Sequence, residues 1–374
     1  MRAPIGPAVR IAFLSSQHGY YGGEVHLLQL ARGLALRGHE VACCVPPGSG
    51  LAVRLADAGL DVTTVRLVDW FEPVGAARAA AWLRRRRPEI LHTHCPRDHY
   101  LAAVVTRGLP TRNVGTRHEL RPIGAARFKR PFFRRFAAMI AVSEAVRTVF
   151  VASRVMDPER VVTVRNGVDT DRPLPARGGL RRAVGLNDDD VPVVGYIGRL
   201  SPGKGLDTLI EAMALLRRDG GPRARLFIVG DDPSRDGAYG GVLRRHADRL
   251  GLGGSAHFFG WVEEAAAAAA DFDLLVVPSR AEPCGLVTLE GMAHGLAIIA
   301  TAAGGTPELI REGREGLLVP PDDPTALAAQ LARLLGDPEL RARLGAAARR
   351  RVTGQFPLSR MLDGVEGVYR RVGR

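Results

Sequence analysis

One stretch constrains the fold of this chain more than any other: residues 278–305, PSRAEPCGLVTLEGMAHGLAIIATAAGG. It follows an apolar run at 274–277 and opens with a turn at Pro283-Cys284-Gly285. From Gly285 to His294 the apolar residues recur at helical spacing, residues 297–300 read as a strand, and the pair Gly304-Gly305 closes the stretch. In a sheet of parallel strands this order puts a turn and a helix N-terminus at the carboxyl edge of a strand, where such folds bind ligands.

The chemistry of the stretch favours a polyhydroxylated, anionic ligand. Backbone N–H groups of Cys284, Gly285 and Leu286 open the helix without intrahelical acceptors, so they are available to hydroxyls or phosphate oxygens. Glu282 and Glu290 have seven residues between them, and Glu290 lies among Leu286, Val287, Leu289 and Met292. A carboxylate in those surroundings is costly unless something pairs with it, and a sugar hydroxyl is a suitable donor. Either glutamate alone would fit a turn cap or the wet face of a helix. Together with the turn and the later glycine pair, they read as a site.

Strand and helix alternate along the rest of the chain. Strands are expected at 9–15, 41–45, 62–65, 90–94, 114–119, 191–197 and 226–229. Helices are expected at 24–37, 74–87, 100–107, 206–217, 265–270, 324–352 and 357–372. The chain has 374 residues, enough for two domains that each bury a core, and 46% of them are apolar, which argues against disorder. A cluster of Pro173, Pro175, Gly178 and Gly179 marks the linker. The expected division is 1–172, 173–353, and a closing helix at 354–374 that packs back on the first domain.

Two further loops carry chemistry. Residues 17–23 (QHGYYGG) stand between a strand and a helix and suit close approach of phosphate or sugar, but lack the G-x-G-x-x-G spacing of a nicotinamide site. Residues 198–205 (GRLSPGKG) nearly match G-x-x-x-x-G-K-[ST], the phosphate loop of nucleotide hydrolases. Gly205 stands where the Mg²⁺-binding Ser or Thr would be. Asp231-Asp232 follows another strand, and Asp188-Asp189-Asp190 reads as a solvated turn. His92, His94 and His118 fall at strand ends, but their spacing is not a metal motif, and no metal is expected.

Taken together, these residues resemble the donor site of retaining glycosyltransferases of the GT-B fold, family 4. That family carries Glu-Pro-Phe-Gly-Leu, a second Glu, and Gly-Gly followed by Glu. Here Cys284 replaces the Phe, and Gly304-Gly305-Thr306-Pro307-Glu308 fits the later element; Thr306 and Pro307 also read as a helix N-cap and first turn. The glycine pair Gly22-Gly23 is similar to the family's Gly-Gly-x-x-x-His element, and the resemblance covers nearly the whole chain. It implies an α/β protein of two Rossmann-like domains whose parallel sheets face each other across a cleft. The first domain would hold the acceptor and the second a nucleotide-diphosphate sugar.

By the same resemblance, Glu282 holds sugar hydroxyls and Glu290 the ribose. Arg199 and Lys204 flank the diphosphate and neutralise it as it leaves, without a metal. His118 lies near the transferred sugar, Gly22 and Gly23 face the reaction centre, Gly230 and Asp231 line the nucleotide side, and Trp261 and Val262 lie near the base. A hexose would pass, with anomeric configuration retained, to a hydroxyl of a glycan or lipid-linked acceptor in envelope or exopolysaccharide synthesis. The rival readings are a same-fold disaccharide phosphorylase, a P-loop hydrolase, and a binding module without catalysis.

Net charge is +13 and uneven: residues 1–172 hold 26 Lys/Arg against 14 Asp/Glu, while 173–374 hold 26 against 25. The excess suggests an anionic partner on one domain. It is densest at 112–135, where Arg112, Arg117, Arg121, Arg127, Lys129, Arg130, Arg134 and Arg135 face one acid, Glu119, with Phe128, Phe132, Phe133 and Phe136 interleaved. This reads either as a solvated helix face with core aromatics or as a segment docking on anionic lipid. Nucleic acid is not expected, because no recognition fold accompanies the charge. Four scattered cysteines, no cleavage-like end near residue 16 and no run approaching about 20 apolar residues predict a cytoplasmic enzyme, peripheral on the inner membrane face.

Overall fold

The computed structural model describes residues 7–67, 73–187, 191–234, 236–262 and 265–373. The Asp188–Asp190 turn and the first six residues lie outside them. The chain forms two compact units, one of residues 1–167 with 358–374, the other of 168–357.

The first unit contains seven strands: β1 (Arg10–Leu14), β2 (Glu40–Val45), β3 (Asp61–Thr64), β4 (Ile90–Thr93), β5 (Arg112–Arg117), β6 (Phe136–Ala141) and β7 (Val161–Thr163). They pair in the order β3-β2-β1-β4-β5-β6-β7, every pair parallel. The second unit has β8 (Val193–Ile197), β9 (Arg225–Val229), β10 (Ala256–Gly260), β11 (Leu274–Val277), β12 (Ala297–Thr301) and β13 (Leu317–Val319), in the order β10-β9-β8-β11-β12-β13 and again all parallel. These are two Rossmann-like sheets. In each the strand order reverses beside the unit's first strand, at β1/β4 and at β8/β11, and such switch points open a crevice at the carboxyl ends of the strands.

Both faces of the second sheet are covered, which explains why its strands read as unbroken apolar runs. Val194, Tyr196, Ile228, Val276 and Ile299 point into one core with the helices Leu206–Arg218 and Pro324–Gly336. Their alternates Val193, Phe227, Val277 and Ile298 point into another with the helices Leu286–Ala293 and Pro338–Gln355. In the first unit, Ile11, Phe13, Cys43 and Ile140 pack against Leu27, Leu30 and Leu34 of the helix Gly22–Leu36. Cys43 and Cys44 alternate on β2, both buried, and all four cysteines are free.

The last helix, Leu358–Gly373, belongs to the first unit and lies on the helix Gly22–Leu36 and on β6. Met361, Leu362, Val365 and Val368 enter that core. Its buried charges are matched: Arg37 Nη1 lies 2.7 Å from Asp363 and 3.2 Å from Glu366, and Arg37 Nη2 donates to the Ser359 carbonyl at 2.9 Å.

Several local expectations shift. The helix expected from Tyr100 begins at Pro96, because Cys95 is extended and proline suits the first turn. Gly22 and Gly23 form the first turn of a helix rather than a loop before it, where their N–H groups lack intrahelical acceptors in any case. Thr306 is the first residue of the short helix Thr306–Leu309, and Gly305 takes the cap position. Among the described residues, no helix is long and apolar enough to cross a membrane.

Candidate active site

In the second unit the loops after β8 and β11 meet at the switch point. The loop after β8 makes a short 3₁₀ turn at Pro202–Lys204, then enters the helix Leu206–Arg218 through Gly205 at φ +65°. A Cβ at Gly205 would stand 2.0 Å from the Pro278 carbonyl oxygen, so the two loops touch backbone to backbone. The Ser or Thr that a phosphate-loop hydrolase needs there has no room.

That contact brings Lys204 to Glu282, with Nζ 2.7 Å from Oε2. Ser279 Oγ donates to the same oxygen at 3.1 Å, and the Gly285 N–H donates to Oε1 at 3.1 Å. Glu282 is 8% exposed. Burial raises its carboxyl, but Lys204 and the two hydrogen bonds outweigh burial and hold it below the ordinary value. The Glu282 carbonyl accepts from Gly305 N–H at 2.8 Å, tying the glycine pair to the same loop.

Residues that sequence reasoning passed over complete the frame. Arg280 pairs with Asp207 at 2.7 Å and Asp322 at 2.6 Å, and its N–H donates to the Gly203 carbonyl at 3.0 Å. It locks the β11 loop to the β8 loop from the outside. A lone Arg beside Ser279 carries no local signal, since its partners are 73 and 42 positions away in sequence.

Glu290, half-buried on the helix Leu286–Ala293, has no ion-pair partner among the described residues, and burial lifts its carboxyl to about 7. Gly285 caps that helix at φ +71°, Cys284 is buried, and Leu286 is half-buried. Arg199 is exposed; its carbonyl accepts from Tyr196 Oη at 2.8 Å, which fixes the loop. Leu200 N–H donates to the Asp231 carbonyl at 2.8 Å and Gly230 N–H to the Gly260 carbonyl at 2.7 Å. The ends of β8, β9 and β10 are thereby linked, with Trp261 (42% exposed) and Val262 next in the chain. Asp232 accepts from Ser234 and Gly240 N–H groups at 2.9 and 2.8 Å, capping the turn and the helix that follow.

In the first unit the loops after β1, β4 and β5 gather histidines. His118 is half-buried, with Nε2 3.2 Å from His94 Nδ1. His26 joins them from the first helix, its ring centroid 4.9 Å from that of His118. The spacing here is Gly22-Gly23-x-x-His26, one residue shorter than the family element. His92 is wholly buried between Tyr369 Oη (2.6 Å) and Thr116 Oγ1 (2.7 Å), a structural place. Burial holds His92 near 3; burial and the Arg117 charge hold His118 near 4, so both rings are neutral at pH 7. Asp98, also unanticipated, is fully buried; it accepts from Ser16 N–H at 3.1 Å, and burial lifts it to about 7.

The basic segment is not one surface. Arg117 is 4% exposed, pairs with Glu119 at 3.0 Å and donates to the Arg121 carbonyl at 2.7 Å; Phe133 and Phe136 are core residues. Arg112, Arg121, Arg127, Arg130, Arg134 and Arg135 remain exposed, with Lys129 half-buried. On the helix Ala126–Phe133, Phe128 is 64% exposed under the Arg127 guanidinium.

Two Rossmann-like units with polar loops at their switch points are the parts of the GT-B fold. Residues 20–172 match the model of glycosyltransferase family 4, and residues 180–351 match glycosyl transferases group 1. The chain is 31% identical over 392 residues to the D-inositol 3-phosphate glycosyltransferase of Frankia alni, covering 93% of this chain and 94% of that one. The chain therefore belongs to the family 4, group 1 glycosyltransferases. It is 27% identical over 346 residues to the lipopolysaccharide core biosynthesis glycosyltransferase LpsE of Rhizobium meliloti, covering 91% and 94%. Among solved structures, Anabaena Alr3699/HepE in complex with UDP and glucose superposes with a TM-score of 0.84 at 22% identity, covering 96% and 98%. The glycosyltransferase from Rickettsia africae gives 0.86 at 21%, covering 98% and 99%.

Proposed function

We propose that the protein transfers a hexose from a nucleotide-diphosphate sugar to a hydroxyl of a glycan or lipid-linked acceptor, with retained configuration and without a metal. The observation that carries this reading is the Lys204–Glu282 pair at 2.7 Å on the β8/β11 switch point. It sets a cation for a pyrophosphate beside a carboxylate that is kept ionised and can accept sugar hydroxyls. The nucleotide bound to Alr3699/HepE, a protein of the same fold, supports a nucleotide-sugar donor.

In this reading Glu282 grips the sugar and Glu290 the ribose. A ribose hydroxyl would supply Glu290 with the donor it lacks. Arg199 and Lys204 stabilise the departing diphosphate, which takes the acceptor's proton. Cys284, Gly285 and Leu286 present backbone N–H groups; Gly230, Asp231, Trp261 and Val262 line the nucleotide side. His118, with Gly22 and Gly23, serves the reaction centre, and the exposed arginines around Phe128 rest on an anionic inner-membrane surface. The test is turnover of UDP, GDP and ADP sugars by wild type and Lys204→Ala. Loss of turnover with at least one donor supports the reading, and an unchanged kcat/KM removes it.

A further inference from the structure

We propose that a recess at the amino edge of the first sheet binds a phosphomonoester dianion, held by Arg130, Arg134 and Arg160. The recess has a volume of about 390 Å³ and is lined by these three arginines with Val155, Met156 and Asp157. That size falls within the span of small-ligand sites, about 300–1,000 Å³. Val155 and Met156 are buried and give it an apolar floor, while the arginines and Asp157 are exposed around it. Arg130 and Arg134 stand one turn apart at the end of the helix Ala126–Phe133, and Arg160 comes from the 3₁₀ turn Pro158–Arg160. The helix leads into β6 at Phe136 and the turn into β7 at Val161, so the recess lies where these two strands begin. The β1/β4 crevice opens where its strands end, and every pair in the sheet is parallel. The two places are therefore on opposite edges of one sheet, and a ligand in the recess is held rather than reacted.

A cation at a helix end complements the helix dipole, which accounts for Arg130 or Arg134 taken singly. It does not account for three guanidinium groups around one recess. Arg130 and Arg134 are a like-charge pair at i, i+4, which repels, and Arg160 is brought to them from a separate element. Neither the Arg130 nor the Arg134 side chain has a hydrogen-bond or ion-pair partner among the described residues. Arg160 Nε lies 3.6 Å from Asp157 Oδ2, an exposed and loose pair that an anion can displace at little cost. Three guanidinium groups less one carboxylate leave a charge that matches the roughly −1.5 to −2 of a phosphate monoester near pH 7. Its three terminal oxygens suit the planar forks of three arginines. A phosphodiester offers only two free oxygens and a single charge, so it would leave part of the recess unanswered. Such a monoester can belong to a soluble phosphate ester or to a lipid headgroup that ends in phosphate.

The experiment titrates the full chain with glycerol 3-phosphate and, separately, floats it with vesicles carrying phosphatidic acid or phosphatidylglycerol at equal surface charge. Saturable binding of the monoester is expected. Arg130→Gln, Arg134→Gln and Arg160→Gln should each weaken it about tenfold, the loss of one charge-assisted hydrogen-bonding partner. Asp157→Asn should tighten it. Arg112→Gln and Arg135→Gln remove the same charge from exposed positions outside the recess and should leave it unchanged. The altered side chains are exposed, so each variant should keep its Tm. A preference for phosphatidic acid that the three lining variants abolish assigns the phosphate to a lipid; binding of the free ester without that preference assigns it to a soluble compound. The proposal is overturned if neither probe binds saturably in the millimolar range, or if the two outside variants lose as much as the three lining ones. Every readout is binding at the amino edge of the first sheet, so the result is independent of whether the chain transfers a hexose.

Discussion

The two switch points occupy equivalent places in their sheets and carry opposite chemistry. At β8/β11 the polar groups are charged and answered: Lys204 by Glu282, Arg280 by Asp207 and Asp322. At β1/β4 they are mostly histidines, four of them buried or half-buried with nitrogens lacking partners, beside the buried carboxyl of Asp98. In the proposed reading the second crevice meets a pyrophosphate. A pyrophosphate exchanges one charged partner for another, so paired charges can receive it at small reorganisation cost. The positive excess of the first half is not spent at its crevice; much of it lies on the exposed arginines between residues 112 and 135.

The comparison breaks first on whether buried charge serves the fold or the ligand. Arg37, fully buried against Glu366 in the first unit, is expected to serve the fold. Arg37→Met should cost about 4 kcal/mol of stability in denaturant unfolding, because Glu366 loses a buried charged partner. Lys204, with a side chain 24% exposed, is expected to serve the ligand. Lys204→Ala should cost about 3 kcal/mol in kcat/KM, at least a hundredfold, and less than that in stability. The reverse pattern would make the Lys204–Glu282 pair a structural one.

Glu290 sharpens the comparison as a half-buried carboxylate of the second unit with no ion-pair partner among the described residues. Its carboxyl is raised to about 7 from an ordinary 4.5, so the folded protein holds a proton that the unfolded chain releases. Stability from this group is full below the unfolded value and is lost as pH rises toward 7. Glu290→Gln should therefore gain about 3 kcal/mol at pH 8 and close to nothing near pH 4.5, read from unfolding curves at both pH values. A gain independent of pH would mean the carboxyl titrates normally. The smallest effect is expected at the basic surface. Arg127→Gln and Arg130→Gln should each weaken flotation with anionic liposomes by about 1 kcal/mol, with no change on neutral ones. Equal, negligible flotation on both would remove the membrane role.

Much of the fold was legible because its signals are local. Short apolar runs alternating with 3.6-residue periodicity specify parallel α/β units, and the loops after β8 and β11 announced themselves by glycine, proline and charge. Even so, the helix starts at Gly22 and Pro96 were misplaced, since the first turn of a helix carries little periodic signal.

The sequence by itself determined which residues are punctuators, which are core, and that Lys204 and Glu282 each stand just past a strand. Only the tertiary structure decided what meets what. Strand order places β11 beside β8 and so joins residues 78 positions apart. It pairs Arg280 with Asp207 and substitutes His26 for His92 in the histidine cluster. It also draws Arg117 out of the basic surface into the core. The physical reason is range: periodicity and turn chemistry act over a few residues, whereas these contacts are set by which strands share hydrogen bonds and which faces are buried. A side chain's partner across a sheet edge leaves no mark in its own neighbourhood.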